Sequence, residues 1–285
     1  MPPIALVGVV GCGLMGSGIA EVCARAGVPV VVAEADEDRA RAGRSRIASS
    51  LKRALAAGKL DAGAHDAALA RCSVTTDLDA LADCDLVVEA ISEDPAAKLA
   101  LFAALDELVQ PDAVLASNTS SIPIARLAAA TSRPGAVLGI HFFNPAPVMG
   151  LVEIVPALRT DPEVVAACEA FVTKVLKKQT IRARDRAGFV VNALLVPYLL
   201  AAIRMLEAGH ATAEAIDAGM ELGCAHPMGP LALCDLIGLD TVQAIADALY
   251  EELRDPSVAA PPLLRRMVDA GLLGRKSGQG FYDHR

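Results

Sequence analysis

Residues 4–16 read IALVGVVGCGLMG, and their reading decides the fold of the first half of the chain. Ile4 to Val10 is a short apolar run rich in valine, the pattern of a buried strand. It meets Gly11-Cys12-Gly13-Leu14-Met15-Gly16, a G-x-G-x-x-G. Beyond it Ile19, Ala20, Val22, Cys23 and Ala26 recur at helical spacing. The glycines therefore lie between a strand and a helix. Gly11 permits the tight turn, Gly13 lets a pyrophosphate approach the backbone, and Gly16 lets helix and strand pack closely. The helix start, from Gly13 through Leu14 and Met15 to Gly16, then offers its amides to the phosphates.

A Gly-rich turn alone is weak evidence, but here it is joined by an acid at the right spacing. A second apolar run, Val28 to Ala33, ends at Glu34. This acid lies where the ribose hydroxyls of NAD are expected, and its charge repels the extra phosphate of NADP. Asp36 is the other candidate acid, and Arg39 and Arg41 argue in the opposite direction. Residues 37–71 then read as two charged, Ala-rich helices separated near Gly58-Lys59, an insertion after the second strand.

Composition narrows the classes. The 285 residues allow two domains, and 54% of them are apolar with six Phe, three Tyr and no Trp. That suits Ala/Leu/Val-rich α/β packing. The net charge of −8 provides no basic surface for nucleic acid and suits a soluble protein. The seven cysteines are scattered without a C-x-x-C, so reduced core residues in a cytoplasmic protein are expected. No cationic segment precedes the first apolar run and no group of residues has metal-ligand spacing, so neither a signal peptide, a membrane span nor a metal is expected.

Two further strands each deliver polar residues at their ends. Leu86-Val87-Val88 is followed by Glu89-Ala90-Ile91-Ser92-Glu93, and Ala113 to Ala116 by Ser117-Asn118-Thr119-Ser120-Ser121. Open α/β sheets bind ligands at such strand ends. The serines also suit a helix N-cap, and Ser121 is expected to cap while Ser120 faces the site. Residues 138–155 read LGIHFFNPAPVMGLVEIV. The apolar run from Val137 to Ile140 ends in His141, Asn144-Pro145 turns the chain, and a second run, Leu151 to Val155, carries Glu153 in its middle. A lone His and Glu are usually a core histidine and an edge-strand acid. A glutamate in a buried strand is costly unless paired, however, and a carboxylate on one ring nitrogen fixes an imidazole's tautomer and raises its basicity.

The HFFNP stretch, the Gly-rich turn and GRKSGQGFY at residues 274–282 together make the chain resemble the 3-hydroxyacyl-CoA dehydrogenase family over nearly its whole length, and its short form acting on 3-hydroxybutyryl-CoA in particular. The resemblance implies that His141 is the catalytic base and Glu153 orients it. It implies that Ser120 contacts the substrate's reacting oxygen and that Asn192 donates to the thioester carbonyl. Glu93, Lys98 and Asn118 are implied on the nicotinamide side, and Ser50 and Lys59 as CoA contacts. The family often has Arg after this asparagine where this chain has Ala193.

Asp185-Arg186-Ala187-Gly188, charged and then abruptly apolar, reads as a domain boundary. The apolar run 189–206 is interrupted by Asn192 and Pro197, so it is expected to be a core or dimer helix. The rival reading of Asn192, less favoured here, is a buried amide bonded to backbone. His226 precedes a proline among turn residues and reads as structural, and His65, His210 and His284 show no partner. The expected fold is thus α/β: an N-terminal Rossmann-type doubly wound sheet over residues 1–186, then an all-α domain over residues 187–285 that serves substrate binding and homodimerisation. The expected reaction is NAD-dependent oxidation of an L-3-hydroxyacyl-CoA, with a carrier-protein-bound acyl chain or a free 3-hydroxy acid as rival substrates. A retired enzyme kept as a binding protein is disfavoured, since His141, Glu153, Ser120 and Asn192 are all present.

Overall fold

Valine-rich runs with no polar face are stable as strands only inside a sheet covered on both sides. In the computed structural model, which describes residues 3–285, they form the middle of one eight-stranded sheet. Its strands are β1 (Val7–Val10), β2 (Val30–Ala33), β3 (Cys72–Thr75), β4 (Leu86–Glu89), β5 (Val114–Ser117), β6 (Val137–Phe142), β7 (Leu151–Pro156) and β8 (Gln179–Arg182). Their spatial order is 3-2-1-4-5-6-7-8, and every neighbouring pair is parallel except β6 with β7. The order reverses at β1, where connections leave for opposite sides and a crevice opens beyond the strand ends.

The connecting helices are α1 (Leu14–Arg25), α2 (Glu37–Ala56), α3 (Ala62–Ala70), α4 (Pro95–Leu108), α5 (Ile124–Ala128) and α6 (Pro162–Ala170). α1 buries Ile19, Ala20, Cys23 and Ala24 against Val7, Val9, Val30 and Val32, which is the face its spacing implies. α2 starts on Asp36, whose carboxylate accepts from the amide of Arg39 at 2.8 Å. That explains the second acid: Asp36 is a helix cap, while Glu34 lies at the strand end. β3 has no counterpart among the expected strands. Its residues CSVT carry no apolar run, and as an edge strand it needs none.

The serine cap expected on α5 is corrected. Pro123 occupies the cap position, and the amides of Ile124 and Ala125 donate instead to the two oxygens of Asp185, each at 2.7 Å. A carboxylate serves two amides at once, and Ser121 is thereby released for another partner.

The chain divides into two compact units, one ending at Asp185 and one beginning at Arg186. The second unit holds α7 (Val191–Glu207), α8 (Ala213–Cys224), α9 (Pro230–Ile237), α10 (Leu239–Leu253) and α11 (Pro262–Asp269). Val196, Leu199, Leu200 and Ile203 of α7 pack with Leu231, Leu239, Val242, Ala246, Leu249 and Leu264 in its core. Among the described residues no helix is long and apolar enough to cross a membrane.

Two buried aspartates fasten the C-terminal segment of this unit. Asp217 accepts from the amides of Leu231 and Ala232 and from the hydroxyl of Tyr282, each at 2.8 Å. Asp235 accepts from the amides of Phe281 and Tyr282 at 2.9 Å and lies 2.8 Å from His284 Nε2. The Tyr282 phenol is pushed up by burial and by its bond to Asp217. His284 therefore has a partner after all, 49 residues away in sequence and invisible to local reading. His65 has one too, with Nδ1 2.8 Å from Asp66. Removing a carboxylate that serves two amides leaves donors unsatisfied at roughly 1–3 kcal/mol each. Asp235→Ala is therefore expected to lower stability by about 3 kcal/mol in urea denaturation, and a loss below about 1 kcal/mol would show that the segment is held by something else.

Candidate active site

The first unit presents two adjoining arrangements at the C-terminal ends of its strands. The first is a cavity of about 730 Å³ lined by Gly11, Gly13, Glu34, Ala35, Arg39, Arg46, Thr76, Leu78, Ala90, Ile91 and Ser92, among others. Gly11 has φ of +91°, and a Cβ there would meet the Ala90 carbonyl oxygen at 2.7 Å. A Cβ on Gly16 would lie 1.8 Å from the Gly11 carbonyl oxygen, so only glycine allows α1 to start this close to β1. Gly13, by contrast, has open space where a Cβ would be, and α1 has no side-chain cap. Its first amides, on Leu14, Met15 and Gly16, are thus left for an external acceptor such as a pyrophosphate.

Glu34 closes the same cavity. Its Oε1 accepts from the Cys12 amide at 2.6 Å and its Oε2 from the Ala35 amide at 3.0 Å. The carboxylate is thus fixed against the glycine turn. Arg39 shares the lining but is 3.3 Å from Asp36, and Arg41 is 3.2 Å from Asp38. Both cations that argue for NADP therefore have local carboxylate partners. The Cys12 thiol is pushed up to about 11 by burial and by Glu34, so it stays protonated beside the turn.

The second arrangement is a line of polar side chains across β5, β6 and β7. The antiparallel register sets His141 directly opposite Glu153. His141 Nδ1 is 2.7 Å from Glu153 Oε2, and its Nε2 is 3.1 Å from Ser120 Oγ. Both members of the pair are buried, and Phe143 meets the imidazole edge-on with centroids 4.7 Å apart. A carboxylate at Nδ1 favours the tautomer with its proton there, in which the Nε2 lone pair is turned toward the serine hydroxyl. Asn118 is fixed by accepting from the Phe142 amide at 2.9 Å.

The β5 end is tied to the β4 end. Glu93 Oε1 accepts from the hydroxyls of Thr119 and Ser121, the latter at 2.8 Å, and from the Ser120 amide at 3.2 Å. Burial opposes the charge on Glu93, but Lys98, Thr119 and Ser121 outweigh it and hold the carboxyl below the usual range. Lys98 Nζ is 3.2 Å from Glu93 and donates to Glu89, which in the sequence is only the acid that closes a buried strand. Lys98 is thus buried between two carboxylates rather than presented to the cavity.

Two of the remaining expected contacts are apart from this line. Ser50 lines a separate hollow of about 290 Å³ with Ser17, Glu21, Arg46, Arg53 and Asn144, while Lys59 is exposed in the turn after α2. Asn192 belongs to the second unit, buried at the start of α7. His226 Nδ1 is 3.2 Å from the Tyr198 hydroxyl, a structural pairing. Among the described residues no group of His, Cys, Asp or Glu could hold a metal.

A glycine turn at the sheet's switch point, an acid fixed beside it and a carboxylate-held imidazole are the elements of a nucleotide-dependent dehydrogenase. Comparison narrows this. Residues 6–186 match the family model "3-hydroxyacyl-CoA dehydrogenase, NAD binding domain", and residues 188–284 match "3-hydroxyacyl-CoA dehydrogenase, C-terminal domain". A 3-hydroxybutyryl-CoA dehydrogenase of Mycobacterium tuberculosis is 58% identical over 282 residues, covering 99% of each chain. The mitochondrial hydroxyacyl-coenzyme A dehydrogenase of Homo sapiens is 40% identical over 286 residues, covering 98% of this chain and 91% of that one. The crystal structure of (S)-3-hydroxybutyryl-CoA dehydrogenase PaaH1 from Ralstonia eutropha matches with a TM-score of 0.92 at 45% identity over 99% of both chains. The chain belongs to the 3-hydroxyacyl-CoA dehydrogenase family, and its first unit contains that family's NAD-binding domain.

The fixed Glu34 carboxylate has a measurable consequence. NADH is expected to exceed NADPH by at least ~tenfold in kcat/KM, about 1.4 kcal/mol of discrimination. Equal or better use of NADPH would show that Glu34 is not on the ribose, or that Arg39 or Arg41 overrides it.

Proposed function

We infer that the chain catalyses the reversible oxidation of an L-3-hydroxyacyl-CoA, of four-carbon acyl length first, to the 3-ketoacyl-CoA. The observation that carries this reading is the line Glu153–His141–Ser120, with 2.7 and 3.1 Å between its members. The names of the relatives that match end to end support the substrate.

In this reading NAD, held by the glycine turn and Glu34, supplies the hydride acceptor. His141 Nε2 takes the proton of the substrate's 3-hydroxyl, a position that Ser120 Oγ marks. Glu153 keeps the first proton on Nδ1 and stabilises the imidazolium that forms. The buried setting strengthens that attraction, because little solvent screens it. Ser120 hydrogen-bonds the reacting oxygen as it becomes a carbonyl. Glu93 and Asn118 serve the nicotinamide side, Lys98 acts there through its ion pair with Glu93, Asn192 donates to the thioester carbonyl, and Ser50 and Lys59 meet the CoA nucleotide. In the reverse direction the imidazolium returns its proton to the oxygen.

The second unit is read as the dimerisation domain of a homodimer. Leu194, Met205, Leu222, Leu236 and Leu253 are exposed on it, apolar side chains that a second copy would cover. A monomer by light scattering at micromolar concentration would sink that reading. The free cysteines, most of them buried thiols pushed above their usual range, favour a reducing compartment such as the cytoplasm.

The roles assigned to His141 and Glu153 differ, and so should their variants. His141→Gln is expected to cost roughly 10²–10⁴ in kcat while NADH still binds. Glu153→Gln removes the charge but keeps the shape and should also cut kcat strongly. The double variant is expected to lose much less than the product of the single losses, because the two act as a unit. Near-normal turnover of His141→Gln with NADH bound would make this histidine a core residue, and multiplying losses would uncouple the pair.

A further inference from the structure

Glu89 is the one fully buried carboxylate next to the site that the reaction scheme leaves without a task. It ends β4, has no exposed surface, and stands opposite Val10 of β1 and Ser117 of β5. Its Oε1 accepts from the Ile91 amide at 2.7 Å and from Lys98 Nζ, and its Oε2 accepts from Ser117 Oγ at 2.6 Å. Ser117 Oγ in turn accepts from the Thr119 amide at 3.1 Å. Lys98 reaches on to Glu93, and Glu93 holds Thr119, Ser120 and Ser121. Two chains of hydrogen bonds therefore run from this one carboxylate to the segment whose Ser120 hydroxyl faces His141 Nε2.

Stability does not account for such a group. Buried ion pairs often contribute no more than apolar residues of the same volume, because desolvation offsets the attraction. Nor does helix or strand propensity call for glutamate at the end of a buried strand. What the arrangement does provide is rigidity at a place where a displacement of an ångström is felt in the rate.

We propose that Glu89 is a positioning residue for hydride transfer, which fixes Lys98 and the Ser117–Ser121 segment so that Ser120 stays aligned on His141. This rests on the reading of His141 as the base.

The test is Glu89→Gln in the full-length protein, with kcat and KM for 3-hydroxybutyryl-CoA oxidation, NADH affinity by fluorescence and the melting temperature measured together. The rate constant kcat should fall at least ~tenfold, as expected for a lost alignment, while KM and NADH affinity stay near their wild-type values. A purely structural Glu89 would lower the melting temperature and leave kcat of the folded enzyme unchanged. Ser117→Ala is the second variant, since it cuts one of the two chains without stranding a charge. It should lower kcat by roughly threefold or more and leave NADH affinity unchanged. If Glu89→Gln fails to fold, Ser117→Ala alone decides. Wild-type kcat in the variants that fold overturns the proposal. His141→Gln run beside them separates the two ideas, because its failure to lose activity removes the base itself, whereas an inert Glu89 leaves the base intact.

Discussion

A carboxylate in the middle of a buried strand is the constraint on which the rest of the site depends. Glu153 has no exposed surface, and both its strand neighbours are apolar. Such a group is stable only with a partner supplied by the adjacent strand, and the antiparallel pairing of β6 with β7 puts His141 opposite it. A one-residue slip would turn every side chain of β7 to the other face and leave the charge among the core residues. The cost of burying Glu153 therefore helps to fix the register, and the register aims the imidazole.

That aim would be of little use if the opposite wall moved. Ser120 lies in a loop, which is ordinarily more mobile than the elements it joins. Here the loop is held by acceptors from the neighbouring strand end and by the Asn118 bond to β6. Polar networks of this kind are costly when incomplete and rigid when complete. The same logic runs through the cofactor side, where Glu34 is clamped to the glycine turn by the amides of Cys12 and Ala35.

Much of this is legible in the sequence, and the reason is periodicity. Valine runs, the glycine spacing and the helical recurrence after it are local signals, and they locate β1, α1, β2 and the β6–β7 pair. The glutamate at position 153 is legible because it is expensive where it stands. What escapes reading is long-range. β3 has no apolar run to announce it. Asp185 caps a helix some 60 residues before it, which no local rule ties to Ile124 and Ala125. Lys98 reads as a residue facing a ligand, and only the fold shows it enclosed by Glu89 and Glu93. His284 joins Asp235 only after the helices of the second unit have packed.

In the proposed reaction Glu153 keeps the neutral imidazole of His141 protonated on Nδ1, so that Nε2 is free to take the substrate's proton. Nitrogen-15 NMR of the histidine-labelled protein at neutral pH tests this directly, with the His141 resonances identified by their loss in His141→Gln. The expected result is a ring that, when neutral, carries its proton on Nδ1 and leaves Nε2 unprotonated. A neutral ring carrying its proton on Nε2 would contradict it.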